Sequence, residues 1–368
     1  MSEPEYLLII ANSGRMLAQA AVEAGFKPLV IDLYADLDTQ KYATDYQQVS
    51  DLSLSNLEPV IAEFIRQYAV TAVVYGSGFE QYPASLAYLM QKFTVWGNST
   101  DSFVKTQDKP EFFNVLTQLD IPYPTVSFNP PVKDEHDWLI KPLQGQGGLG
   151  ISHYSPNDTN KTGVYWQQFI LGAAHSVLFL ANCQSAQIIG FNTQWVDHTH
   201  NIEPFIFSGV INKTDLLDAQ EREVMQWLQK LVPVFSLKGL NSLDFIATEH
   251  ALYVLEINPR PSASMQLYDA DLLTRHINSC RGELSPLPTE AHYTAYQIVY
   301  APYDLNIPEA FSWPEYCTDL PNVGVTCRKG QPICSIIAHH EQAHLLKDAL
   351  KIKQHNLLKG LNSYGIPS

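Results

Sequence analysis

Short apolar runs alternate with amphipathic stretches over the first hundred residues. Residues 6–11, YLLIIA, read as a buried strand, and 15–24, RMLAQAAVEA, as a helix stopped by Gly25. PLVIDLY (28–34) is a second strand, 57–68 carry apolar side chains at helical spacing, and TAVVYGSG (71–78) is a strand running into glycines. Residues 79–92 read as a helix and FTVWGN (93–98) as a fourth strand. Strands alternating with helices predict parallel βαβ units, so residues 1–104 are expected to form a small doubly wound α/β domain.

The texture then changes. A helix is predicted over 105–119, followed by a proline-rich connector, DIPYPTVSFNPP. Strand patterns follow at 137–142, 163–171, 175–181, 186–196 and 203–211. A helix at 215–232 is expected to end near Pro233. A hairpin comes next, with strands 240–248 and 252–259 about a polar EHA turn. Residues 105–284 therefore read as an α+β domain with antiparallel sheets. The remaining region, 285–368, is strand-rich and closes with a basic amphipathic helix, 341–361, expected to cover a sheet.

Composition narrows the classes. The chain has 368 residues, 45% hydrophobic and 17% charged, with a formal net charge of −15 and no Lys/Arg block to offset it. That argues against nucleic-acid binding, and it leaves any anionic ligand to a few placed cations. No apolar run approaches the ~20 residues of a membrane span. The start, MSEPEYLLIIANSG, lacks a basic segment and a cleavage site. A cytoplasmic protein without a membrane partner is expected. The five cysteines are odd in number, with no C-x-x-C, and read as reduced thiols.

Candidate chemistry begins at LIKPLQGQGGLGISHYS, where Gly145, Gly147, Gly148 and Gly150 spell G-x-G-x-x-G. A dinucleotide site needs a helix after these glycines. ISHYSPN is β-branched and then turn-like, so the loop is expected to join two strands. The first βα unit, NSGRML, offers only Gly14, and Asp32 reads there as a turn or cap residue. A glycine loop between antiparallel strands is either a surface hairpin or a flap giving backbone N–H groups to a triphosphate. Lys141, just upstream, would then meet the phosphates.

SLDFIATEHALYVLEINPRPSAS is the other informative stretch. Asp244 lies on one strand of the hairpin; Glu256 and Asn258, two apart, leave one face of the next; Arg260 follows. Two carboxylates and an amide oxygen suit Mg²⁺. The alternative is an ion pair of Glu256 with Arg260 or a lysine. Ser262 and Ser264 either line an acceptor site or form a plain loop. DHTHNIEP puts His198 and His200 near Glu203, either as a zinc site or as a solvated or substrate-contacting turn.

Taken together, QDKPEFFNVLTQLDIPYP, LIKPLQGQGGLGI, WQQFILGAAHSV and DFI…LEINPRPSAS resemble the ATP-grasp superfamily in order and spacing across about 105–265. The resemblance implies an ATP-grasp fold with a pre-ATP-grasp domain before it. It implies ATP held by Lys109, Lys141, Gly145, Gly147 and Gly148. An adenine-reading hinge would comprise Gln167, Gln168, Phe169 and Ile170. It implies Mg²⁺ or Mn²⁺ on Asp244, Glu256 and Asn258, with Lys141 and Arg260 catalytic. The hinge departs from the family, with Gln167 and Gln168 where acidic residues are usual and Ala174, beside His175, at the ribose-binding place. EINPRPSASMQLYD and the tail resemble the carboligase-like group related to biotin carboxylase, including ligases of methanopterin and methanofuran C1-carrier synthesis. That implies an ATP-dependent carboxylate–amine ligase, with glutamate and a tyrosine- or tyramine-like amine as substrates and a homodimer as one assembly. A carboxylase-type ligase and a non-catalytic nucleotide-binding protein stay open as alternatives.

Overall fold

The computed structural model describes residues 5–131, 137–155, 161–196, 203–268, 271–288 and 292–364. His198 and His200 lie outside the described residues. No described helix is long and apolar enough to cross a membrane.

The opening segment runs β1 (Tyr6–Ile10), α1 (Arg15–Glu23), β2 (Lys27–Asp32), α2 (Leu37–Tyr42), β3 (Asp45–Gln48), α3 (Leu54–Gln67), β4 (Ala72–Tyr75), α4 (Pro83–Lys92), β5 (Thr94–Trp96). The five strands are parallel, in the order β3-β2-β1-β4-β5. Helices cover both faces. Leu7, Ile9, Val30 and Val74 pack with α1, while Leu8, Ile10, Leu29 and Val73 pack with Ile61 and Phe64 of α3 and Leu89 of α4. That two-sided burial is why the strands read as unbroken apolar runs. Helix α2 and strand β3 (LDTQKY and DYQQ) carry no apolar period, so the sequence pattern missed them.

The helix expected over 105–119 is two helices, α5 (Thr100–Gln107) and α6 (Lys109–Gln118). Asp108 breaks the run: its carboxylate accepts from Glu111 N at 3.0 Å, and Pro110 has no N–H to continue α5. This puts Lys109 in the first turn of α6, where its side chain is buried.

A four-stranded sheet follows, ordered β6-β9-β7-β8: β6 (Val126–Ser127), β7 (Trp138–Pro142), β8 (Ser152–His153), β9 (Val164–Gln168). The glycine loop joins β7 to β8, which pair antiparallel. The strand expected to reach 171 stops at Gln168.

The largest sheet has eight strands. β10 (Ala173–Asn182), β11 (Ala186–Val196), β12 (Phe207–Ile211), α7 (Asp218–Phe235), β13 (Lys238–Ala247), β14 (Leu252–Asn258) and α8 (Leu272–Cys280) lead into β15 (Tyr293–Tyr300). β16 (Leu305–Asn306) and β18 (Thr326–Cys327) pair as a separate two-stranded sheet, while β17 (Cys317–Thr318) and β19 (Pro332–His340) complete the large one and α9 (Leu346–Tyr364) follows. The sheet order is β14-β13-β10-β11-β12-β15-β19-β17, so strands from the last eighty residues extend the central sheet. On one face Val177 and Phe179 of β10 and Phe245 of β13 meet Trp227, Leu228 and Leu231 of α7. On the other, Leu178, Leu180 and Leu240 meet Leu273 and Ile277 of α8.

Helix α7 does not stop at Pro233. It runs through it and ends where Ser236 turns left-handed (φ 51°). A proline in the last turn removes one hydrogen bond, and the buried Val232 and Phe235 hold that turn against the sheet. Strand β12 begins at Phe207, later than the expected 203, because residues before it form a turn that packs on the glycine loop.

Candidate functional site

Hairpin β13–β14 sets the carboxylates. Its register pairs Asp244 with Glu256 and Ser242 with Asn258, and directly opposed residues share a face. A bulge beside Asp244 leaves Leu255 as the extra residue and bends β14 there. Asp244 accepts from Asn258 Nδ2 at 2.9 Å and from Gln194 Nε2 of β11 at 3.3 Å. Among the described residues no Lys or Arg forms an ion pair with it. Burial, followed by the charge of Glu256, raises the Asp244 pKa. Burial alone would also raise Glu256, but Lys109 and Lys141 override it and hold that carboxyl below its ordinary range. Like charges placed opposite one another in a sheet are destabilising. With hard oxygen donors, this wall fits a divalent cation better than it fits itself.

The cations come from other elements. Lys109 Nζ stands 3.2 Å from Glu256 Oε2. Lys141 on β7 donates to Gln167 Oε1 of β9 at 3.0 Å and lies 5.8 Å above the Tyr165 ring, its cross-strand neighbour. Burial lowers the Lys141 pKa, with Glu256 and Asp244 opposing. Gln167 is buried and its Nε2 has no partner among the described residues. Glu256 thus pairs with Lys109, while Arg260 turns to Glu80, at 2.8 Å, and to Asn258 Oδ1, at 3.3 Å. The turn before Arg260 is clamped from the opening five-stranded sheet. Pro259 O accepts from Tyr75 Oη at 3.2 Å and from Asn98 Nδ2 at 2.9 Å.

Two clefts share this wall. One is lined by Lys109, Lys141, Tyr165, Glu256 and the loop glycines 145, 147 and 148. The other, of about 290 Å³, is lined by Asp244, Glu256, Asn258, Arg260 and both Ser262 and Ser264, with Gly147 at the seam. Gln168, Phe169 and Ile170 line neither cleft; they leave the end of β9. Phe169 N donates to Asp137 O at 2.7 Å, and no protein acceptor meets the N–H of Ile170 among the described residues.

The loop is folded against the turn before β12. Phe207 N donates to Gly147 O at 2.8 Å and Gly150 N to Glu203 Oε2 at 2.9 Å. A Cβ on Gly148 would lie 1.9 Å from Phe205 O, and its φ is +79°. Gly148→Ala is therefore expected to push the loop off the cleft and weaken ATP binding about tenfold or more, a ~1.4 kcal/mol effect. Nucleotide titration checks it, and an unchanged affinity would separate the loop from the nucleotide.

Residues 106–264 match the family model described as an ATP-grasp domain. The chain carries an ATP-grasp domain. An uncharacterized protein of Methanocaldococcus jannaschii is 23% identical over 54% of this chain and 50% of its own. The carbamoyl phosphate synthase large chain of Synechocystis is 22% identical over 66% of this chain and 25% of its own. The chain thus spans half of the first relative and a quarter of the second. The biotin carboxylase domain of Hydrogenobacter thermophilus 2-oxoglutarate carboxylase, a dimer solved with MgADP and bicarbonate, has the same fold. Its TM-score is 0.72 at 14% identity, over 94% of this chain and 88% of that one. The mixed α/β architecture read from the sequence is that of this ATP-grasp fold.

Two residues beside Asp244 and Arg260 escaped the sequence pattern. Glu80 sits just past the glycines that end β4, and Gln194 on a strand that reads as ordinary core. Only three-dimensional proximity to Arg260 and Asp244 marks them. Asp32 behaves as a turn residue, accepting from Gly14 N, Tyr34 N and Ala35 N.

Proposed function

We propose that the protein is an ATP-dependent carboxylate–amine ligase that makes an amide through an acyl phosphate. The observation that carries this reading is the facing pair Asp244 and Glu256, with Lys109, Lys141 and the glycine loop around the same wall. Phosphoryl transfer is chiefly positioning and charge neutralisation, and these groups suit it. Lys109 and Lys141 would neutralise phosphate oxygens. Asp244, Glu256 and Asn258 would hold Mg²⁺, or Mn²⁺ in its place. When bound, the metal supplies positive charge to the transferring phosphoryl group. Gln167 would hold Lys141 in place, and the N–H of Ile170, without a protein acceptor among the described residues, suits the edge of adenine. The loop would exclude water, which otherwise hydrolyses an acyl phosphate. A carboxylate oxygen attacks the γ-phosphorus and ADP leaves; the amine nitrogen then attacks the acyl carbon and phosphate leaves. Arg260, its fork fixed by Glu80, would hold the charge that develops on the acyl oxygens.

The finer part of the proposal is a glutamate-type carboxylate joined to a tyrosine- or tyramine-like amine, in the assembly of a C1-carrier cofactor. The resemblance of EINPRPSASMQLYD and the tail supports it. The test is ADP release from MgATP with glutamate and tyramine or tyrosine, together and singly. Release that needs both, with an amide product by mass spectrometry, is expected. Release that needs bicarbonate and no amine would turn the reading to a carboxylase. Nucleotide binding without turnover on any pair would leave a binding protein.

A further inference from the structure

A cavity of about 460 Å³ lies where the opening sheet meets the last strands. Ser13, Asp36 and Ser77 line it from the loops after β1, β2 and β4. These are the carboxyl ends of parallel strands, at the place where the strand order reverses between β1 and β4. Open α/β sheets bind ligands in that crevice. Arg260, Ser77 and Ala263 line both this cavity and the cleft that holds Asp244 and Glu256.

The charges of the cavity do not balance. Arg15 lies 2.9 Å from Asp319 and Arg260 lies 2.8 Å from Glu80, so both cations already have a carboxylate. Asp36 is left over. It is only 7% exposed, and its carboxylate makes no hydrogen bond or ion pair in the described structure. Burial, with Asp319, Asp32 and Asp38 nearby, pushes its pKa up to about 8. The turn that presents it is built with care. Ala35, just before it, takes φ 47° without being glycine. Its N–H bonds Asp32 Oδ1 at 2.7 Å, and its carbonyl accepts from Gln40 and Asn322. Backbone strain held by so many bonds, beside a buried carboxylate without a partner, is the mark of a binding position. Met16, Tyr34, Ile298 and Val325 give the lining an apolar part, beside polar Gln266, Thr326, Gln331 and Ser335.

We infer that this cavity binds a cationic amine with an apolar body, the ammonium on Asp36 and the hydrocarbon against Met16, Tyr34 and Ile298. The ligand is then the amine reactant of the ligation, bound as its ammonium and giving up a proton to solvent before its nitrogen attacks. That assignment rests on the ligase reading, whereas the binding itself does not. Asp36 acts as a specificity residue, selecting charge in a pocket whose other ions are paired.

Isothermal titration of the full chain with 2-phenylethylamine and hexylamine tests it. 2-Phenylethanol and hexanol serve as neutral counterparts. An amine is expected to bind at least about tenfold more tightly than its alcohol. Asp36→Asn should erase that preference. Because Asp36 caps nothing with its side chain, the variant should melt at the same temperature or higher, which shows that it is folded. Failure of both amines to bind, equal binding of amine and alcohol, or an Asp36→Asn protein that keeps the preference would overturn the inference. Selective binding without amine-dependent ADP release would uphold it and count against the ligase. Amine-dependent ADP release without the selectivity would do the reverse.

Discussion

Glu256→Gln should lower substrate-dependent ADP release by at least about 10²-fold while the protein stays folded. Removing one well-placed electrostatic group from a preorganised site costs ~10²–10³ in turnover. Glu256 touches two parts of the site at once. It opposes Asp244 across the hairpin and pairs with Lys109 at 3.2 Å. Glutamine keeps the shape and the carbonyl oxygen but removes the charge that balances two lysines. Lys141→Ala should match it in size, because Lys141 lines the cleft together with the loop glycines. Glu249→Gln, on the exposed turn of the same hairpin, is the control and should retain full turnover. The readouts are steady-state ADP release and a melting curve for each variant. A folded Glu256→Gln enzyme with normal turnover rejects the assignment of the wall.

How much of this was legible depends on what kind of residue carries it. Period-two and unbroken apolar runs such as VLFLA at 177–181 announce a buried strand, since neighbours cover both faces. Glu256 and Asn258 stand out because polar side chains interrupt such a run two apart. The glycines are visible because no other residue tolerates Gly148's backbone and its contact with Phe205. What stayed hidden is long-range or local in other ways. Asp108 and Pro110 divide a helical pattern whose period continues across the break. Glu80, Gln194 and Asn98 are ordinary surface-type residues until folding brings them 180, 50 and 161 positions across the chain to their partners. Asp36 lies in a stretch without an apolar period, and only the closing of residues 319–322 over it shows that it is buried.

That same junction carries the largest expected stability effect. Arg15→Met should destabilise the protein by about 3–5 kcal/mol, the cost of leaving a buried ion pair with one member. Arg15 is 2% exposed and binds Asp319 at 2.9 Å and Gln266 at 2.7 Å, with Asp38 at 3.7 Å. Asp38 in turn accepts from the backbone N–H groups of Asp319 and Leu320. One guanidinium therefore holds two carboxylates in a region that also contains Asp32 and Asp36. Burial alone would raise the Asp319 pKa, but Arg15 overrides it and keeps it below the usual 3.8. A carboxylate with a depressed folded pKa contributes stability above its unfolded pKa and loses it as pH falls through the folded value. Without Arg15, burial raises the Asp319 pKa, so the penalty of Arg15→Met should shrink as pH falls from neutral towards 4, Asp319 taking up a proton in the variant above its usual 3.8. Adding Asp319→Asn to Arg15→Met should recover much of the loss, since it removes the stranded charge. Urea unfolding of the single and double variants at pH 7 and pH 4 measures both effects. A single variant within 1 kcal/mol of the parent at pH 7 would mean that the junction between the opening sheet and the last strands is held by packing, with the ions as passengers.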